Sequence, residues 1–289
     1  MDVLRATAKL LPINARSWAK RIVFKNRHWA HPDLKQFGTV QDLYYWISDG
    51  DKDTVLVLQN FYSAFYPTLD TSTRGTVAIY DQNGGLLIEK SFKLAHSGAV
   101  KLRVSALLED LPSASEATFG TLEVKLAIPR EVITTIQESR SFYFWDRFYI
   151  GYTNKLGQTC FVHGVDKTNI YREGRADPVD WYKKPKDHQW APETPVDIAD
   201  YHKYDVILIN RTSETAATTL TLLDVEDRSL SWQVEIPPKG VRRFELDQHK
   251  TASLNPNEMR MLVTGMATQF GRPMIFKEFR NGAISAMHC

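Results

Sequence analysis

The most suggestive polar cluster in the sequence is His163-Gly164-Val165-Asp166. A histidine and a carboxylate this close at a strand end could bind a metal or act as acid and base. His288 stands at the corresponding place near the C-terminus. Two readings follow: both histidines are structural strand-end residues, or a duplicated binding site was kept. Cys160, three residues before His163, could supply a thiol nucleophile to that base. In a strand, however, residues three apart point to opposite faces, so a buried strand cysteine is the better expectation. His28 and His31, with Asp33, have the types to ligate a metal, but Pro32 opposes a helix carrying both rings on one face. Further on, Trp181, Tyr182 and Trp190 are aromatics able to stack on a sugar or a peptide. With His163 and Asp166 they form the expected ligand-binding set. No metal site and no cofactor is expected, because the sequence has no Cys-x-x-Cys, Gly-rich phosphate loop, Walker lysine, nucleophile elbow or His-Glu-x-x-His.

The elements that must hold these residues are strands. From Thr54 to about Ile128 the apolar period is two. Thr76 to Tyr80 and Leu87 to Leu94 flank Asp81-Gln82-Asn83-Gly84-Gly85, which predicts a hairpin. Val100 to Val104 alternates with Lys101 and Arg103 outward, and Phe119 to Ile128 is a further strand. Tyr44, Tyr45 and Trp46 read as core aromatics of a strand, or else as an aromatic binding wall. Ile133 to Glu138 reads as a short helix, and Arg147 to His163 as a hairpin through Asn154-Lys155-Leu156-Gly157. Leu220 to Leu223 and Ser231 to Ile236 are strands around Glu226-Asp227-Arg228-Ser229. Pro237-Pro238-Lys239-Gly240 is a sharp turn into Val241 to Leu246.

The region from Asp205 to Cys289 echoes what precedes it. Val206 to Asn210 resembles Val55 to Asn60, Thr219 to Asp224 resembles Thr76 to Asp81, and Gly240 to Leu246 resembles Gly98 to Val104. Arg272 to His288 aligns without a gap on Arg147 to His163. Internal similarity of this kind predicts an all-β chain of two tandem antiparallel β-sandwich domains made by duplication. The expected division is a basic, helical N-terminal segment (1–45), a first sandwich (46–163), a linker (164–203) and a second sandwich (204–289). The linker carries tryptophans, tyrosines and prolines. Disordered segments are poor in aromatics, so it is expected to be ordered, either as a strap or as a ligand-binding flap.

Composition narrows the class. With 43% hydrophobic and 24% charged residues, the 289-residue chain can bury real cores. No apolar run approaches a membrane-spanning helix, and the first residues lack the apolar core of a secretory signal. Two cysteines fit a reducing, cytoplasmic setting. The net charge of +2 hides an asymmetry: residues 1–29 hold seven basic side chains and one acid. Residues 1–27 therefore read as a basic amphipathic head, solvated on the body or in peripheral contact with an anionic membrane. A mildly acidic body speaks against nucleic acid as a partner.

Three stretches of the second copy carry a family resemblance: Val206 to Asn210, Val234 to Asp247, and Arg272 to Arg280. Their order of strand, basic turn, alternating strand and closing strand after a proline resembles the sensory rhodopsin transducer family of small β-sandwich proteins. The resemblance covers the second copy and, through duplication, weakly the first. It implies an antiparallel sandwich used for binding, often oligomeric, without a catalytic centre, and it carries over no site residue. The expectation is thus a non-catalytic ligand-binding or assembly protein, taking a glycan or small-molecule ligand and forming a homo-oligomer. The alternatives are an enzyme, metal-dependent, acting on a small molecule or glycan near His163 and the linker, and a structural subunit of a larger assembly.

Overall fold

The computed structural model describes residues 39–109, 111, 116–132, 148–163, 170–171, 178–179, 189–211, 214–247, 249–255, 258–265 and 273–288. The basic head, the His28/His31/Asp33 group and the helix expected at Ile133 to Glu138 lie outside them. Among the described residues, no helix is long and apolar enough to cross a membrane.

The first half contains β1 (Thr39–Ile47), β2 (Lys52–Gln59), the short helix α1 (Phe61–Phe65), β3 (Thr73–Asp81), β4 (Leu86–Leu94) and β5 (Ala99–Arg103). A second short helix, α2 (Val104–Leu108), leads to β6 (Phe119–Ala127), β7 (Phe148–Asn154) and β8 (Thr159–His163). Two short pieces follow, β9 (Ile170–Tyr171) and β10 (Pro178–Val179). The second half contains β11 (Gln189–Val196), β12 (Tyr201–Ile209), β13 (Ala216–Leu223) and β14 (Ser229–Ile236). It ends with β15 (Val241–Leu246), β16 (Met259–Gly265), β17 (Met274–Phe279) and β18 (Ile284–His288). β1 thus begins within the stretch assigned above to the head, and β11 within the linker.

These strands pair into four antiparallel sheets: β10-β9-β1-β6-β3-β4, β5-β2-β7-β8, β11-β16-β13-β14 and β15-β12-β17-β18. The expectation of two tandem β-sandwiches is corrected here: the sheets are arranged as the four blades of a small β-propeller. Within a blade the strands do not run as a simple meander, since β2 lies between β5 and β7. The larger core is not confined to one pair of sheets. It joins Trp46, Val77 and Leu122 to Leu56, Leu58 and Ile150, and then to Ile207, Val241, Met274 and Phe276 of the second half. A second core lies between the two sheets of the second half. The reason lies in β12. Its run Val206-Ile207-Leu208-Ile209 is apolar at every position and buried throughout. Val206 and Leu208 enter one core, Ile207 and Ile209 the other. A strand with one wet face alternates, whereas one buried on both faces does not, and periodicity alone leaves open what covers the second face.

Local chemistry explains the turns. Asp81 Oδ1 accepts from the N–H of Asn83 (2.7 Å) and Gly85 (2.9 Å), and Gly84 takes a φ of +81°. Asp224 Oδ1 accepts in the same way from Glu226 (2.9 Å) and Arg228 (3.0 Å), with Asp227 at +58°. Such a carboxylate fixes a turn by capping backbone donors that the ladder leaves open. The hairpins expected at 81–85, 154–157 and 226–229 are all present.

The strand order of β5-β2-β7-β8 recurs as β15-β12-β17-β18, and that of β1-β6-β3-β4 as β11-β16-β13-β14. Asn60 and Asn210 mark the same place in each half. The Asn60 N–H donates to Gly98 O (2.9 Å) and that of Asn210 to Gly240 O (3.0 Å). From these anchors Val55 corresponds to Asp205, Val57 to Ile207 and Phe61 to Arg211. The register then pairs Lys101 with Val57 and Arg243 with Ile207, so Lys101 corresponds to Arg243.

Candidate functional site

The residues singled out in the sequence are not brought together as one described site. Asp166, Trp181, Tyr182 and His188 lie outside the described residues. The backbone of Trp190 stands in β11 opposite Val263, whereas that of His163 stands in β8 opposite Tyr149, in another sheet. Cys160 pairs with the fully buried Tyr152, and burial pushes its thiol up, away from the thiolate a nucleophile needs. Tyr44, Tyr45 and Trp46 are completely buried, as core aromatics rather than an open binding wall. No group of three or more His, Cys, Asp or Glu able to hold a metal occurs among the described residues.

Among the described residues there is a hydroxyl–imidazole chain. Ser63 Oγ lies 2.8 Å from Thr71 Oγ1, which lies 3.0 Å from His96 Nδ1. The hydroxyl beside the imidazole belongs to Thr71, which is wholly buried. Ser63 Oγ meanwhile accepts from the Ser97 N–H at 2.7 Å. The chain ties α1 to the turn before β5 and presents no hydroxyl to a substrate.

The seam between the halves carries buried ionic groups. Arg211, almost fully buried, lies 3.0 Å from Asp42 and donates to Leu43 O. Lys239 pairs with buried Glu123, which also meets Lys125 at 2.9 Å and accepts from the Tyr80 hydroxyl at 3.2 Å. Arg243 Nε donates to Asp205 Oδ2 at 2.8 Å. Asp205 Oδ1 is buried without a hydrogen-bond partner. Burial accordingly pushes the Asp205 carboxyl up to about 6, against the pull of Arg243 and Lys203. Burial likewise raises the nearby Tyr45 phenol, and it lowers the Lys239 ammonium against the pull of Glu123. Arg211 and Lys239 reach across the seam to Asp42 and Glu123 and can hold the halves in register, whereas Arg243 and Asp205 pair within one sheet face of the second half.

A different surface exposes aromatic side chains. On the outer face of β5-β2-β7-β8 the register sets out two rows: Lys101, Val57, Tyr149, then Arg103, Val55, Gly151, Phe161. Phe161 is 53% exposed and Tyr149 40%. Phe161 lies over Gly151, where an added Cβ would stand 2.7 Å from a ring carbon. The missing side chain lets the ring lie flat with its other face to solvent. The corresponding face of the second half carries Arg243, Ile207 and Met274, then Glu245, Asp205, Phe276 and Ala286. That face is covered by the first half. Phe276 meets Tyr152 edge-on at 5.3 Å, Arg243 lies over the Phe119 ring at 5.8 Å, and Met274 and Ile207 belong to the shared core. The two faces share a cation (Lys101, Arg243), an aliphatic residue on the central strand (Val57, Ile207) and an aromatic paired with a small residue across the last two strands; they differ at Tyr149 and Met274, at Val55 and Asp205, and at Arg103 and Glu245. Sequence reading placed Lys101 and Arg103 outward but missed Tyr149 and Phe161. The signal was the hairpin register, which sets Phe161 opposite a glycine.

No protein-family model matches the chain, and no curated protein does. Among solved structures the chain is similar to a β-glucuronidase from glycoside hydrolase family 2, at 8% identity and a TM-score of 0.18, over 89% of this chain and 26% of that one. It is also similar to a calcium-binding mutant of Bacteroides uniformis β-glucuronidase 2, at 12% identity and a TM-score of 0.16, over 85% and 25% of the two chains. The chain spans about a quarter of the length of these enzymes, and likeness this remote carries no argument about fold or activity. None of these results bears on the sensory rhodopsin transducer resemblance.

Proposed function

We propose that the protein is a non-catalytic assembly protein that docks a protein partner on the outer face of β5-β2-β7-β8. The observation that supports this reading is the correspondence of the two sheet faces: the one in the second half is already covered, by the first half of the same chain, and its counterpart exposes Phe161 and Tyr149. An exposed aromatic patch rimmed by cations has the composition of a binding surface, where aromatic and arginine side chains are enriched. The ionisable groups of the seam are engaged with one another, which leaves them to join the halves.

The test is native mass spectrometry of the chain purified at its natural abundance. The expected result is a complex heavier than the 33.1 kDa chain, lost when Tyr149 and Phe161 are both changed to Ser. A lone chain, or a complex indifferent to that change, would overturn the reading.

A further inference from the structure

The two corresponding faces differ in charge, which bears on what the exposed one receives: Val55 and Arg103 stand where the covered face has Asp205 and Glu245. In the covered face the cation is neutralised from within: Arg243 is held by Asp205, one strand away. In the open face the position of Asp205 is taken by Val55. Lys101, the counterpart of Arg243, is exposed and forms no ion pair with a described residue. Arg103 leans 3.4 Å from Asp53, a carboxylate already bound to the N–H (3.0 Å) and hydroxyl (2.7 Å) of Ser105 at the start of α2. Among the described residues the face therefore keeps an excess of positive charge beside its aromatic side chains. Covering Lys101 with an apolar surface would bury an unpaired ammonium, which is strongly unfavourable.

We infer that the partner docking on this face is acidic, and presents a carboxylate to Lys101 alongside aromatic side chains that pack on Phe161 and Tyr149. The inference rests on the assembly reading and adds the chemistry of the occupant. The covered face shows both parts of the arrangement: a carboxylate on the cation, and aromatic rings of the opposing half against Phe276 and Arg243.

The experiment uses the full chain and three synthetic peptides of equal length: alternating Glu and Tyr, alternating Gln and Tyr, and alternating Glu and Ser. Binding is read from amide shifts of Val57, Lys101 and Gly151. The acidic aromatic peptide is expected to bind at least tenfold more tightly than either control. Its advantage over the Gln/Tyr peptide should vanish with Lys101→Gln, an exposed change that leaves the fold alone. Equal binding of the Glu/Tyr and Gln/Tyr peptides would overturn the acidic requirement while leaving the assembly reading intact. Equal binding of the Glu/Ser peptide would reduce the effect to charge attraction and overturn the inference, as would no binding of any peptide. The native complex decides the assembly reading separately.

Discussion

The two halves of this chain place the same strands and turns, yet at three corresponding positions a charge stands in the second half where the first is neutral. After the anchoring asparagine the first half has Phe61, packed at 6.2 Å against Phe148, and the second has Arg211 against Asp42. Within the central strand the pair is Val55 and Asp205. At the turn before the fifth strand it is Ser97 and Lys239, both at positive φ (55° and 60°). Each charge of the second half meets a group at the seam or on its own sheet face. The backbone plan therefore does not decide what a half does. The core of the first half is completed by apolar residues of the second, whose charges are adapted to that contact.

The largest effect should come from the first pair. Arg211 is held between Asp42 and Leu43 O with almost no exposure, so truncating it leaves a buried carboxylate uncompensated. Arg211→Met is expected to lower the unfolding free energy by about 3–5 kcal/mol, read from urea denaturation. Adding Asp42→Leu should recover part of that loss, because an ion pair replaced by apolar groups no longer strands a charge. A single Arg211→Met effect below about 1 kcal/mol would show that the guanidinium does not join the halves.

The second pair predicts a pH dependence. Burial penalises the charge of Asp205 and pushes its carboxyl up to about 6 in the folded chain, from 3.8 for an ordinary aspartate. The folded state then holds a proton that the unfolded chain releases earlier. Asp205's contribution to stability is fully present below pH 3.8 and is lost as pH rises through about 6. The lost amount is at most about 3 kcal/mol, from about 1.4 kcal/mol for each pKa unit. Asp205→Asn should remove this slope, so that the variant gains on the parent between pH 4 and 7. A constant difference across that range would show that the carboxylate does not change protonation there. Val55→Thr, at the corresponding position, should leave the pH profile unmoved.

Much of this organisation is legible in residue types. The Asp81 and Asp224 turns, the core aromatics Tyr44 to Trp46 and the outward Lys101 follow from local chemistry and period two. The number of faces buried on β12 does not, because its unbroken apolar run is equally consistent with several surroundings. The burial of Arg211 is also hidden, since an arginine in sequence reads as exposed and only the tertiary partner Asp42 makes burial tolerable. The open face was missed because Gly151 and Phe161 belong to different strands, and their meaning lies in the pairing. Trp181, Tyr182 and Asp166, whose types suggest a ligand site, lie outside the described residues.

The smallest effect tests the third pair, and its value lies in its sign. Ser97 and Lys239 both occupy the left-handed region, where a side chain costs roughly 1 kcal/mol relative to glycine. Both turns close alike, with the N–H of Gly98 on Ala95 O (2.9 Å) and that of Gly240 on Pro237 O (2.8 Å). Ser97 uses its backbone N–H on Ser63, which a glycine would retain. Ser97→Gly should therefore raise stability by a few tenths to about 1 kcal/mol. Lys239→Gly relieves the same strain but withdraws the ammonium from Glu123, leaving that buried carboxylate to Lys125 and the Tyr80 hydroxyl. It should lower stability by about 1 kcal/mol, the loss of the pair outweighing the relief. Two substitutions alike in backbone geometry would then differ in sign. Equal gains from both would mean that Lys239 contributes only a turn, and that the charge at this position has no part in joining the halves.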